Sequence, residues 1–305
     1  MEEVQSANTQ KEESKASLKK SSKKKSKFVT WLEKNWGQIF IVIILLILAV
    51  LVLYPLFILV IRSFKFPEDD LANPFGLTHR YTFDNYITIW AYIKNSYLNS
   101  FITTIGVTAG TVVCASFLAY AFIRFRFPFK KFFFYAIISL MMIPGILTLI
   151  SRYQQIVDMK LTNNLLGIIL PGIAGYIPMA FMLLFTFFNG LPKELFEAAD
   201  MDGAGDFKVY FKIVVPLSRP IIWTIGIQTF VGEWNDFLWA KLVLVDDDMI
   251  TLPVVLNAIS QDLGENIAYA LPFAGYVLSA LPLLLILIVA SKQFIEGLTS
   301  GAFKM

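Results

Sequence analysis

Hydrophobic and polar positions along this chain come in long blocks. Ile39 to Ile61 is a run of 23 residues without a charge, about 35 Å of helix against a bilayer core near 30 Å. Five further apolar blocks follow at 95–123, 132–151, 161–192, 220–245 and 266–291, and only 220–245, the fifth of the six, is interrupted by charge. Spans are predicted at about 39–61, 97–123, 132–151, 165–189, 220–241 and 268–291. The second, fourth and sixth blocks exceed one crossing, so part of each is expected to be loop or interfacial. The predicted fold class is all-α, a polytopic membrane protein with six transmembrane helices. Six crossings put both termini on one side.

One polar island breaks the pattern. Residues 193–219 hold nine charges, Lys193, Glu194, Glu197, Asp200, Asp202, Asp206, Lys208, Lys212 and Arg219. The island reads as two short helices with a hinge. Gly190 suits the end of the preceding helix and Pro192 the first turn of a new one. Leu195, Phe196, Ala199 and Met201 give that helix an apolar side, and Gly203 suits a left-handed turn after it. Asp206 is read as the N-cap of a second helix, with Phe207, Tyr210, Phe211 and Val214 at spacings of three and four. Pro216 is expected to stop that helix by pushing Val215 out of helical geometry.

Glu197-Ala198-Ala199, then Gly203, then Ile213-x-Val215-Pro216 resemble the EAA loop that marks the membrane-spanning subunits of ABC importers. Every position of that motif matches except Val215, where leucine is usual. Trp234-Asn235-Asp236-Phe237, Thr251-Leu252-Pro253 and Gly297-Leu298-Thr299-x-Gly301 resemble the carbohydrate branch, specifically the second maltose-permease type. The resemblance covers roughly residues 30–305, which it makes a transmembrane domain of that kind. It implies a permease subunit importing a sugar or oligosaccharide, with Glu197, Ala198, Ala199, Asp200, Gly203 and Pro216 coupling it to an ATPase. It also implies a second homologous permease subunit, two ATPase subunits and an extracytoplasmic solute-binding protein. ATP and Mg would be used by the partner ATPase, and this chain would bind no cofactor. The outer loop at 242–265, with Asp246, Asp247, Asp248, Asp262 and Glu265, would reach toward the binding protein.

Basic residues orient the spans independently of the motif. The N-terminal tail carries nine Lys and Arg, the 124–131 loop four, the 193–219 island four and the C-terminal end two, nineteen on one side. The opposite loops carry seven: Arg62, Lys65, Arg80, Lys94, Arg152, Lys160 and Lys241. Both termini and the island are therefore predicted to be cytoplasmic, in the cell membrane. The first 30 residues, rich in Lys, Ser and Glu, are predicted to form a disordered tail. Lys23, Lys24, Lys25 and Lys27 there suit anionic lipid headgroups rather than nucleic acid.

Apolar residues make up 56% of the chain and charged ones 16%, against about 25% charged in soluble domains. Cys114 and His79 are the sole cysteine and histidine. That excludes an intrachain disulfide, the common His-based metal sites and a Ser-His triad. No phosphate-binding G-x-x-x-x-G-K-[ST] loop occurs. The chain is thus expected not to be an enzyme on its own. Energy for transport comes from a separate ATPase chain, or from an ion gradient if the protein is a secondary transporter or channel.

A solute pathway is most readable in the fifth span. Counted from Arg219, Glu233 lies about 21 Å along an ideal helix and Asp236 about 25 Å. Glu233 and Asp236 share one face of that helix; Thr224, Gln228 and Asn235 share another. The two faces cannot both line one narrow path, and the sequence does not assign which one meets a partner span. The candidate pathway residues are Gln228, Glu233, Trp234, Asn235 and Asp236. The tryptophans suit sugar stacking or contacts with lipid and neighbouring helices. Gly106-x-x-x-Gly110 and Ala115-x-x-x-Ala119 in the second span suit close helix approach. Proline and glycine at Pro144-Gly145, Pro171-Gly172, Gly175 and Pro178 suit kinks, either static or hinging.

Overall fold

The computed structural model describes residues 27–263 and 270–302, and the side chains of 35–261 and 270–289. Most of the predicted tail, Glu265 and the side chains of Asp262 and of the 297–301 motif lie outside the described residues. The chain divides into two compact units, residues 1–58 and 59–305. The described part of the first is one helix: α1 runs Lys27–Ser63, starting inside the predicted tail and carrying Pro55 within it. Its stretch from Asn35 is long and apolar enough to cross a membrane.

In the second unit, α2 (Pro67–Ala72) leads to α3 (Asp84–Arg124). The 41 residues of α3 make about 61 Å of helix, roughly twice the bilayer core. The expected excess over one crossing is therefore helix and not loop, because no proline or glycine pair interrupts it before Phe125. The third span differs more. It runs as α4 (Lys130–Leu140), then turns by 93° into the segment Gly145–Asp158, whose α-helical part is α5 (Leu149–Asp158). A straight helix over 132–151 is not formed. Pro144, at φ −60° and ψ 124°, is extended and breaks the ladder there. By contrast α6 (Leu166–Asn189) continues through Pro171 and Pro178.

The polar island folds as α7 (Lys193–Met201) and α8 (Asp206–Leu217), and α9 (Arg219–Trp234) follows at 76° to α8. Two details depart from the sequence reading. Gly205 is the N-cap, so Asp206 is the first helical residue. Pro216 does not stop α8: Val215 stays helical at φ −60° and ψ −48°, and the chain bends at Ser218. The backbone over Tyr210–Val214 is a π-turn, a widened helix that accommodates the proline ring. The fifth span is likewise broken, because α9 ends at Trp234 and α10 (Leu238–Val243) restarts beyond Asn235-Asp236-Phe237. The last helices are α11 (Leu252–Leu263) and α12 (Ala270–Ala302).

Counting each bent pair as one span, up to six of these segments are long and apolar enough to cross a membrane. No strand occurs among the described residues beyond a lone bridge between Lys65 and Tyr81. The packing centres on α3 against α6. Ideal Cβ atoms on Gly106 and Gly110 would meet Ile169 and Ile173 of α6, so those glycines allow the approach. Ala115 and Ala119 are fully buried further along. One apolar cluster, with Phe122, Phe181, Leu184, Tyr210 and Val214, ties α8 to α3 and α6. A second gathers Ile89, Phe230, Trp234, Leu252 and Leu271, and a third Ile156, Ile168, Trp239 and Val243.

Candidate functional site

The island is two helices joined by a tight turn, its hinge. At the end of α7 the Ala204 amide donates to the Ala199 carbonyl (2.9 Å) and the Gly203 amide to that of Asp200 (3.1 Å). This is the Schellman pattern, which needs a left-handed residue after the cap. Gly203 supplies it at φ +66°, with nothing within 4 Å of an added Cβ.

Arg124, at the last turn of α3, fastens both sides of that hinge. Its Nε donates to Asp206 (2.7 Å), while Nη1 donates to Asp200 (3.1 Å) and Nη2 to the other oxygen of the same carboxylate. Arg124 thereby holds the Asp200 carboxyl below the 3.8 of a free aspartate. The Tyr120 hydroxyl donates to the Asp206 carbonyl (3.0 Å), and the hydroxyls of Ser116 and Tyr210 share a hydrogen bond (2.6 Å). Tyr210 also stacks on Phe117, with centroids 4.5 Å apart. Glu197 and Ala198 are exposed, whereas Ala199 is buried against the chain's own core. Pro216 sits in α8, half-buried. Met201 (88% exposed) and Phe207 (75%) leave apolar surface open beside the hinge. Arg124 was visible in sequence only as one of the basic residues that orient the spans.

The five candidate pathway residues do not form one site. Trp234 is fully buried among Tyr97, Phe101 and Phe230, and its indole donates to the Ser279 carbonyl (3.1 Å). It is a packing residue. Gln228 and Asn235 are exposed, and the Asn235 amide folds back onto the Val231 carbonyl (2.7 Å). Asp236 lies past the end of α9, so the shared helical face read for it and Glu233 does not exist. Asp236 instead accepts the Trp239 amide (3.2 Å) at the start of α10.

Glu233 and Asp236 nevertheless belong to one partly buried polar cluster, completed by residues from other helices. Glu233 is buried, and its Oε2 lies 3.3 Å from where a Cβ on Gly172 of α6 would stand. Arg152 of α5 and Tyr176 of α6 interact electrostatically with both carboxylates. The Arg152 guanidinium lies 3.8 Å over the Trp239 ring, and the Trp239 indole donates to the Gly167 carbonyl (3.1 Å). Arg152 was read from sequence as an outer-loop charge, because hydropathy does not show that the third span turns by 93°. Tyr176 carried no signal.

Residues 111–298 match the family described as binding-protein-dependent transport system inner membrane component. The chain is 32% identical over 273 residues to the galactooligosaccharides transport system permease protein of Bacillus subtilis, covering 87% of this chain and 95% of that one. It is 29% identical over 263 residues to the diacetylchitobiose uptake system permease protein of Streptomyces coelicolor, covering 86% and 87%. The fold matches that of a chain in a crystal structure of a bacterial ABC transporter involved in import of the acidic polysaccharide alginate. The TM-score is 0.75 at 23% identity, covering 86% of this chain and 98% of that one.

Proposed function

From the premise that this chain belongs to the family of binding-protein-dependent transport system inner membrane components, we propose that it is the permease subunit of an ATP-driven ABC importer for a sugar or oligosaccharide. Residues 31–305 are its transmembrane domain. It pairs with a second, homologous permease subunit; two ATPase subunits bind ATP and Mg and power it; an extracytoplasmic solute-binding protein delivers the sugar. Both termini and the 193–219 segment face the cytoplasm. The chain itself binds no cofactor. The named relatives that carry sugars support the substrate class.

The observation that carries this reading is the fastened hinge. Arg124 ties α7 and α8 to the end of α3, so a push on the segment is delivered to a helix that runs the width of the membrane. Exposed Glu197, Ala198, Met201 and Phe207 offer an ATPase a carboxylate, close backbone approach and apolar contact. Ala199 acts from behind, seating α7 on the core. Asp200 and Gly203 hold the hinge's geometry and Pro216 the bend into α9. At the other end, Glu233 and Asp236 stand in the partly buried cluster on the solute's side. Charge at membrane depth costs about 2.5–3.5 kcal/mol on insertion scales, and a solute path repays it with polar contact. An ATP-induced closure shifts the inward–outward equilibrium by binding one state more tightly than the other.

Gly203→Val tests the hinge. Valine at positive φ costs about 1–2 kcal/mol, and open space around Gly203 in this chain leaves any further clash to the partner. The variant is expected to insert in the membrane yet lose ATPase co-purification or ATP-driven uptake in vesicles. Glu197→Ala is milder, as an exposed ion pair contributes little. Wild-type co-purification together with normal uptake by Gly203→Val would falsify the coupling role. Gradient-driven flux by the purified chain alone would remove the ATP-driven reading.

A further inference from the structure

The 93° break in the third span opens a cavity of about 700 Å³ between the Gly145–Asp158 segment and α6. Its α6 wall is apolar, formed by Leu170, Pro171, Ala174, Gly175 and Pro178. The opposite wall presents Thr148, Ser151, Arg152 and Gln155 on successive turns of the broken span. Arg152 is the informative member. Trp239, itself buried, holds the guanidinium plane from one side at 3.8 Å. Asp236 and Glu233 supply opposite charge from the α9 end. Yet Arg152 Nε is shielded from solvent and has no hydrogen-bond partner. Nε itself is enclosed, so a ligand in the cavity meets the half-buried Arg152 side chain at its other atoms.

We propose that this cavity is a sugar subsite, in which Arg152 donates to the hydroxyl oxygens of a neutral saccharide and Gln155, Ser151 and Thr148 complete the contacts. The inference rests on the permease reading and assigns contact residues to it. Three observations select a neutral, hydroxyl-rich ligand. The volume falls within the roughly 300–1,000 Å³ of small-molecule sites. Two carboxylates already stand behind the one guanidinium, so a second anion is disfavoured. Donor and acceptor groups converge beside an apolar wall, and a sugar ring presents hydroxyls at its edge and C–H groups on its face. Thr148 spends its proton on the Gly145 carbonyl (2.9 Å) and offers only its lone pairs. Trp239 is a positioning residue that keeps the guanidinium facing the cavity.

The test uses the complete transporter with its binding protein, reconstituted in vesicles. The probes are a galacto-oligosaccharide, an arabino-oligosaccharide and diacetylchitobiose, and a water-soluble methanethiosulfonate. Gln155→Cys and Thr148→Cys are made in a Cys114→Ala background. Both cysteines are expected to react, modification to cut uptake of the imported sugar about ten-fold or more, and saturating sugar to slow modification. Arg152→Lys keeps the charge but not the fork, and is expected to raise the uptake KM about ten-fold with a smaller change in kcat. Cysteines that stay unreactive in the assembled transporter, or react without loss of uptake or protection by sugar, overturn the subsite while leaving the permease reading intact. A wild-type complex that imports none of the three sugars with ATP overturns the sugar reading, and the subsite with it.

Discussion

Asp200 shows how much a single residue's role depends on what reaches it across the fold. In sequence it is one acid among several in the island; in the structure the Arg124 guanidinium grips it from the end of α3. Its carboxyl is held below 3.8. A group whose folded pKa is lowered contributes stability that is complete above its unfolded pKa and lost as pH falls through the lowered value. Amide exchange over 193–206, corrected for the intrinsic rate, is therefore expected to be flat between about pH 5 and 8 and to rise only below the ordinary aspartate range, near about 3.9. Asp200→Asn should show the raised exchange throughout. Equal protection in the variant and wild type would show that the packing of Tyr120 and Tyr210, and not the ion pair, holds the segment. At this scale Gly203 was legible, since a glycine after an apolar helical face has one common use. Arg124 was not, because a pairing 76 residues away in sequence leaves no local trace.

Elements were legible where they rest on local backbone chemistry and illegible where tertiary packing decides. Small residues at the helix contacts are a case of the first kind, and the glycines that face α3 from α6 and α9 give a graded expectation for substitution. A Cβ at Gly172 would stand 2.7 Å from Val107 Cγ2, a stiff β-branched neighbour, and 3.3 Å from Glu233 Oε2. At Gly226 the nearest atom is Thr108 Cγ2 at 4.0 Å. Gly172→Ala is thus expected to destabilise by about 1–3 kcal/mol. Gly226→Ala is expected to be neutral or to stabilise by up to about 1 kcal/mol, from alanine's better helix propensity. Thermal unfolding of the detergent-solubilised chain checks the order, and equal midpoints would mean that α3 and α6 separate more readily than their contacts imply. The broken third and fifth spans belong to the second kind. Hydropathy records that residues are apolar, not where the helical ladder stops. Pro144 was read as a kink but makes a turn of 93°. Asn235 bonds back to Val231 and Asp236 caps α10, so a helical wheel drawn through both failed at the one place where their positions mattered.

For the whole molecule the basic residues and the fold bear on the same question, which way the chain lies in the membrane. On the predicted topology nineteen Lys and Arg fall on the side of the island and seven on the other, the kind of bias that orients membrane proteins. Several of the seven are engaged inside the structure, Arg62 with Asp70 and Arg80 with Asp69 at 2.8 Å each. Lys65 is fully buried, its Nζ donating to the Asn73 carbonyl (2.5 Å), and Arg152 belongs to the polar cluster. They are structural charges, as Arg124 is among the nineteen. The acidic turn opposite is also tied down. Asp246 accepts from Asn163, and the Asn99 amide donates to the Asp248 carbonyl (2.8 Å), leaving Asp247 exposed between them. Single cysteines in a Cys114→Ala background read the orientation directly. Gly205→Cys, beside the Gly203 hinge, and Ser22→Cys are expected to resist an impermeant thiol reagent in intact cells and to react once the membrane is opened. Asp247→Cys is expected to react in intact cells, since its side chain can change without loosening the contacts of Asp246 and Asp248. Labelling of Gly205→Cys from outside sealed cells would invert the molecule, and with it the proposed docking side of the ATPase.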